Sequence, residues 1–140
     1  MKKIMLMSLL SIFSLGSIYG QKEEKAIKKV VNAFAEAGDK NDVKSLEKYL
    51  DPNYRVTMNR LFGSKEVSVV SRSVYISKIK SKEWGGDKRK LTYLSIVVNG
   101  NTAVVHVKMK GEKATFISLL NLVKNEENDW QLISDLPIIE

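Results

Sequence analysis

The stretch that decides the fold is Leu91 to Leu136, LTYLSIVVNGNTAVVHVKMKGEKATFISLLNLVKNEENDWQLISDL. Leu91 to Val98 is rich in β-branched residues. Asn99-Gly100-Asn101 follows, a strong hairpin signal because Asn and Gly tolerate positive φ. Thr102 to Lys110 then alternates. Ala103, Val105, Val107 and Met109 share one face, while Thr102, His106, Lys108 and Lys110 share the other. Gly111-Glu112 turns the chain again. Ala114 to Lys124 is apolar on both faces, with Phe116, Leu120 and Leu122 on one and Ile117, Leu119 and Val123 on the other. Such a strand must be covered twice. Helices supply one cover and a second subunit is expected to supply the other, which predicts a homodimer. Trp130 to about Leu136 is the last strand and should close the sheet.

Working outward, the best helix is Gln21 to Ala37. Ile27, Val30, Val31 and Phe34 fall at i, i+3, i+4 and i+7 on one face, Glu24 is placed to pair with Lys28, and Gly38 suits a left-handed cap. A second helix is expected from Val43 to Leu50, capped by Asp42, with Leu46, Tyr49 and Leu50 inward. Pro52 forces Asp51 out of helical geometry. Tyr54 to Met58 reads as a strand. Arg60 to Arg72 holds a turn at Gly63-Ser64 and either a short strand or an irregular cover at Val67 to Val70. Ser73 is a candidate cap for a third helix carrying Tyr75, Ile76 and Ile79 inward, and Gly85-Gly86 opens a loop. Three helices and a run of antiparallel strands make an α+β domain, with the helices on one face of a bent sheet.

The 140 residues leave room for one domain. Residues 1–20 read as a signal peptide: Lys2 and Lys3, an apolar run from Ile4 to Leu15, then small residues up to Gly20, although Ile18 is larger than the usual cleavage site prefers. The run is well short of the ~20 residues that span a bilayer, so no stable membrane span is expected after its removal. The mature domain is then residues 21–140, periplasmic or secreted. There is no cysteine. That excludes disulfides, lipid attachment at a thiol, thiol catalysis and cysteine metal sites, so the core alone must hold the domain together.

The net charge is +7, and it falls by two with Lys2 and Lys3. The excess concentrates between Lys78 and Lys90, a candidate anion-binding or envelope-surface patch, although charge runs of this kind ordinarily face water. Export and the lack of a binding motif argue against nucleic acid.

Catalytic constellations are sparse. His106, the sole histidine, lies in register with Lys108 and Lys110 and should be solvated; alone it cannot supply a zinc site. Neither a glycine-rich phosphate loop nor a nucleophile elbow is present. Among the acids, Asp39, Asp42, Asp51 and Asp87 sit at turns or helix starts. Asp135 differs, because burial late in the last strand would raise its pKa and make it a candidate base. The expectation is nevertheless a frayed strand end with Asp135 wet, since unpaired buried aspartates are rare. Tyr49, Tyr54, Tyr75, Tyr93 and Trp84 are candidate ligand-binding residues, as aromatic walls with polar tips are typical of small-molecule pockets. For any single one of them, ordinary core is the favoured reading.

From Ala26 to Leu136 the chain resembles the putative lumazine-binding family of the nuclear transport factor 2-like superfamily, which includes SnoaL-like and ketosteroid-isomerase-like domains. The residues that carry the resemblance are Ala26-Ile27-Lys28-Lys29-Val30-Val31, Asp42-(x)3-Leu46-(x)5-Pro52, Asn99-Gly100-Asn101-(x)-Ala103-(x)-Val105, Phe116-(x)5-Leu122-Val123-Lys124 and Trp130-(x)-Leu132-Ile133. The resemblance implies a cone-shaped curved antiparallel sheet wrapped on the three helices, enclosing a pocket, usually in a dimer. Two departures stand out. Asp51 precedes the proline where relatives commonly carry His, and Ser118 and Leu119 stand where they commonly carry a polar pair at the pocket or its rim.

The favoured functional expectation is an exported, non-catalytic binding or accessory domain holding a small apolar or aromatic molecule. No metal and no cofactor is expected, with flavin or lumazine suggested by the family's name alone. An alternative is an isomerase, cyclase or dehydratase using Asp135 or Tyr93 as cavity acid or base. A third is a protein-interaction module that uses the outer sheet face or the Lys78–Lys90 stretch.

Overall fold

The apolar stripe read on the first helix is the spine of the domain. In the computed structural model, which describes the backbone of residues 7–140 and side chains from Ile18 onward, helix α1 spans Met7–Asp39. Part of the leader expected at residues 1–20 therefore lies outside the described residues. The helix runs unbroken through Gly20-Gln21, rather than starting at Gln21. Ile27, Val31 and Phe34 are buried and Val30 packs against the core they head, while Glu24 pairs with Lys28 at 2.6 Å on the wet side. Glu23 is buried too. It accepts Lys124 Nζ at 3.0 Å and Trp130 Nε1 at 2.8 Å, fastening the helix to the far end of the sheet. Burial works against its charge, yet the bonds from Lys124 and Trp130 outweigh it and hold the carboxyl below its ordinary value.

The cap expected at Gly38 falls instead on Asn41, the residue with positive φ (52°). The amide of Asp42 bonds the Ala37 carbonyl at 2.9 Å and that of Asn41 bonds Gly38 at 3.2 Å, a complete Schellman pattern. Asn41 suits this place because its side chain continues outward: Nδ2 donates to the carbonyls of Ile79 (2.9 Å) and Trp84 (2.8 Å). Gly38 stays helical, and a Cβ there would meet Arg89 Nη2 at 3.0 Å.

Helix α2 (Val43–Tyr49) is capped as read, with Asp42 accepting from the Ser45 amide. Strand β1 (Leu50–Asn59) starts earlier than read and carries Pro52 in its irregular opening. Val67–Ser71 is a true strand, β2, and pairs with β1 at the sheet edge. Helix α3 (Arg72–Lys80) is capped by Ser71 and not Ser73, because it begins directly where β2 ends. Strands β3 (Lys90–Asn99), β4 (Thr102–Lys110), β5 (Thr115–Lys124) and β6 (Trp130–Ile139) complete the chain. At the β3–β4 hairpin only Gly100 takes a positive φ (59°).

The six strands form one curved sheet in the order β2-β1-β6-β5-β4-β3. One expectation is corrected. The last strand lies between β5 and β1 and runs parallel to β1, so the sheet is mixed rather than wholly antiparallel. The cause is topological. The chain crosses from β2 at one edge to β3 at the other through α3 and the loop to Arg89, and the β3–β6 meander then returns beside β1. Ala103, Val105, Val107 and Met109 face inward as read. The other face is open in this chain: Leu119 is 42% exposed and is flanked by exposed Val104, Leu136 and Ile138.

The crossing loop is held close to the end of α1. Gly85, at φ +76°, has no room for a side chain, since a Cβ would lie 2.3 Å from the Gly38 carbonyl oxygen. Asn41→Ala should lower the unfolding free energy by about 2–3 kcal/mol, because two partly buried carbonyls lose their donor. Gly85→Ala should cost more than about 2 kcal/mol through strain and clash together. Urea melts of the two variants check both, and wild-type midpoints would contradict the clamp.

Candidate functional site

A β-bulge builds the inner end of the site. Asn121 of β5 pairs with Ser134 of β6, and Leu122 pairs with Leu132, so Ile133 is unpaired and shifts the alternation by one. Leu132 and Asp135 consequently both face inward, while Leu136 is turned out. Asp135 is 8% exposed, contrary to the wet strand end expected for it. Burial pushes its carboxyl up to about 7, with Ser118 and the Arg89 charge tempering the rise. Among the described residues, no hydrogen bond of good geometry reaches Asp135 Oδ1 or Ser118 Oγ, and the hydroxyl of buried Tyr54 is also without a partner. Three polar groups thus stand unsatisfied in one apolar region.

Two of them, Asp135 and Ser118, lie at a cavity of about 290 Å³ between the sheet and the helices. Phe34 of α1, Tyr75 and Ile79 of α3, Trp84 of the crossing loop, Met109 and Phe116 contribute to its wall, and Asp135 and Ser118 also line it. Tyr75 packs against Trp84 with centroids 5.9 Å apart and against Phe34 at 6.4 Å. Burial raises the Tyr75 phenol well above its ordinary range, although the Arg89 charge opposes this, so it stays neutral and can donate. The exposed lining residues Phe62, Lys82, Glu83 and Lys113 mark the mouth. Phe62 is 70% exposed and sits in a loop where Arg60, Phe62 and Gly63 all have positive φ.

Arg89 forms one wall. Its Nε meets Asp39 Oδ1 at 2.5 Å, its amide meets Oδ2 at 2.9 Å, and Nη2 reaches the Ala35 carbonyl at 2.8 Å. Asp87 ties the crossing loop to the β4–β5 turn, accepting the amides of Lys88, Glu112 and Lys113. Burial acts against the Asp87 charge, but those amides hold its carboxyl below the ordinary value.

Of the candidate aromatic residues, Tyr75 and Trp84 line the cavity. Tyr54 lies behind Tyr75, edge-on at 5.3 Å. Tyr49 packs at the margin of the core. Tyr93 lies outside the cavity, on the flank of α1, where its hydroxyl donates to the Lys28 carbonyl (3.1 Å) and Asn32 Oδ1 (3.0 Å). Ser118 and Leu119, the departure noted above, point to opposite faces: Ser118 is wholly buried at the cavity and Leu119 faces out. His106, expected in solvent, is partly covered between Ser95 and Leu119. Arg89, Met109 and Phe62 were not singled out from the sequence as site residues, and only the apolar register of Met109 hinted at its place. Among the described residues, no cluster of three or more His, Cys, Asp or Glu could hold a metal ion, and no helix is long and apolar enough to cross a membrane.

The family model described as "Putative lumazine-binding" matches residues 22–136, nearly the whole of this cavity-bearing domain. The chain belongs to that family. Its fold is that of the nuclear transport factor 2-like proteins. One of unknown function from Silicibacter pomeroyi is 18% identical, with a TM-score of 0.74 over 86% of this chain and 98% of the other. Another, from Shewanella baltica, is 16% identical, with a TM-score of 0.73 over 85% and 94%. A protein from Shewanella frigidimarina described as a "putative ketosteroid isomerase" is 16% identical, with a TM-score of 0.59 over 81% and 94%. No curated protein matches the sequence.

The buried Asp135 makes stability depend on pH. Its proton is kept in the folded state up to about 7, whereas the unfolded chain releases it near the ordinary aspartate value of ~4. The stability contributed by this group is therefore fully present below that value, falls as pH rises between the two, and is gone above about 7, a loss of roughly 4 kcal/mol. Asp135→Asn should remove this component, so that the variant gains on wild type as pH rises across the window. Urea unfolding at a series of pH values tests it, and parallel profiles would contradict it.

Proposed function

We propose that this protein is an exported, non-catalytic binding domain that holds a small apolar or aromatic molecule in its cone. The observation that carries the reading is the cavity, whose wall is mainly aromatic and aliphatic with a few polar groups at its inner end. Apolar walls supply affinity and sparse polar groups fix orientation. Membership of a family named for lumazine binding supports a small ligand and leaves its identity open; lumazine and flavins belong in the first panel on that ground. Native mass spectrometry of protein purified from its own host should show a dissociable small-molecule adduct. An empty protein that also binds nothing in a panel of aromatic compounds would overturn the reading. The same spectrum should give a chain beginning at Gln21, the expected product of signal-peptide removal.

The proposed assembly is a homodimer through the open sheet face. Val104, Leu119, Leu136 and Ile138 are exposed on adjoining strands there, and a contiguous apolar patch of that kind marks an interaction surface. Sedimentation should give a dimer that Leu119→Glu converts to a monomer. A wild-type monomer at micromolar concentration would contradict this.

A second reading is favoured by one observation, the inward carboxyl of Asp135 with a pKa near operating pH. In that case the cavity removes a proton from carbon beside a carbonyl, as an isomerase or dehydratase requires. Deuterium exchange into small cyclic ketones, lost in Asp135→Asn, would support it. Equal exchange in both proteins would exclude it.

A further inference from the structure

The charged residues at the cavity mouth are not equivalent. Glu83 is engaged by Lys78, whose Nζ meets both carboxylate oxygens at 2.6 and 2.7 Å. Asp87 spends its oxygens on backbone amides of the neighbouring turn. Asp39 is taken by Arg89. Lys82 and Lys113 also line the cavity, both are exposed, and among the described residues neither has a carboxylate within ion-pair distance. They approach from separate segments, Lys82 after α3 and Lys113 from the β4–β5 turn. The carboxylates that line the opening, Glu83 and Asp87, are already bound, so two cations remain to meet a ligand at the mouth of an apolar cavity.

We propose that the ligand is an amphipathic anion, with an aromatic or aliphatic body inside the cavity and a carboxylate, sulfonate or phosphate at the mouth between Lys82 and Lys113. This deepens the binding reading above and rests on it. The opposite orientation would press the anion against the carboxyl of Asp135 in a poorly solvated region. With the head outward, Asp135 and Ser118 are left to meet a neutral polar group or water. The arrangement also gives a use to part of the basic stretch between Lys78 and Lys90. Lys78 and Arg89 serve structure through Glu83 and Asp39, whereas Lys82 serves the ligand.

The test uses two probes that differ by one charged group, 8-anilinonaphthalene-1-sulfonate and its neutral parent N-phenyl-1-naphthylamine. Both should fluoresce on binding to the wild-type protein. Lys82→Glu/Lys113→Glu should weaken the sulfonate roughly tenfold while changing the neutral probe by less than about twofold. Added salt should erode only the sulfonate's binding. Ala114→Trp, which places a large side chain on the cavity wall, should remove both signals, with far-UV circular dichroism confirming that each variant is folded. If the two probes respond alike to charge reversal, the anion proposal falls and the cavity reading survives. If the blocking variant leaves the sulfonate signal intact, the probe binds elsewhere and the proposal also falls. If neither probe binds wild type, both readings fall together.

Discussion

The walls of the cavity converge on the last turn of α1. There Arg89 reaches from the start of β3 to Asp39 and the Ala35 carbonyl, and Asn41 closes the helix while holding the carbonyls of Ile79 and Trp84. A helix end leaves carbonyls without partners; here the amides of Asn41 and Asp42 take those of Gly38 and Ala37, and Arg89 of the cavity wall takes that of Ala35. The Gly38 carbonyl accepts the Gly86 amide at 3.2 Å. The same few atoms finish a helix, position the loop carrying Trp84 and place a cation beside Asp135. The Arg89–Asp39 pair is largely withdrawn from solvent. Removing one partner would strand a charge, which is a heavier loss than the pair's net contribution.

A single unpaired residue then decides what the cavity contains. Strands alternate with period two, so a regular β6 starting from inward Leu132 would send Leu136 inward and Asp135 out. The bulge at Ile133 reverses this. It puts a carboxyl among aromatic side chains and an apolar leucine on the open face. Both halves of the functional picture, a polar inner end to the pocket and an apolar outer surface, follow from that offset. The polar atoms there are unsatisfied among the described residues, which is costly unless something else meets them.

Much of the fold was legible because it rests on local regularities. The helical stripe of Ile27, Val31 and Phe34, the alternation from Ala103 to Met109 and the hairpin at Gly100 are short-range patterns, and the structure has them where the residues indicate. Caps were less legible. Gly38 and Asn41 both suit a helix end, and what separates them is the distant carbonyls that Asn41 can reach. The position of β6 beside β1 was hidden too, because strand order depends on where a chain crosses a sheet and not on the composition of the strand.

The sequence by itself determined the class of domain, the inward set of apolar residues and the scarcity of conventional catalytic groups, since periodicity, turn chemistry and composition act over a few residues. Only the tertiary structure decided that Asp135 is buried, that Tyr93 lies outside the cavity while Tyr75 and Trp84 line it, and that Lys82 and Lys113 stand without acidic partners among the described residues. Each of those outcomes depends on segments far apart in the chain meeting in space, through a bulge, a crossing loop and a turn whose effect no local pattern of residues records.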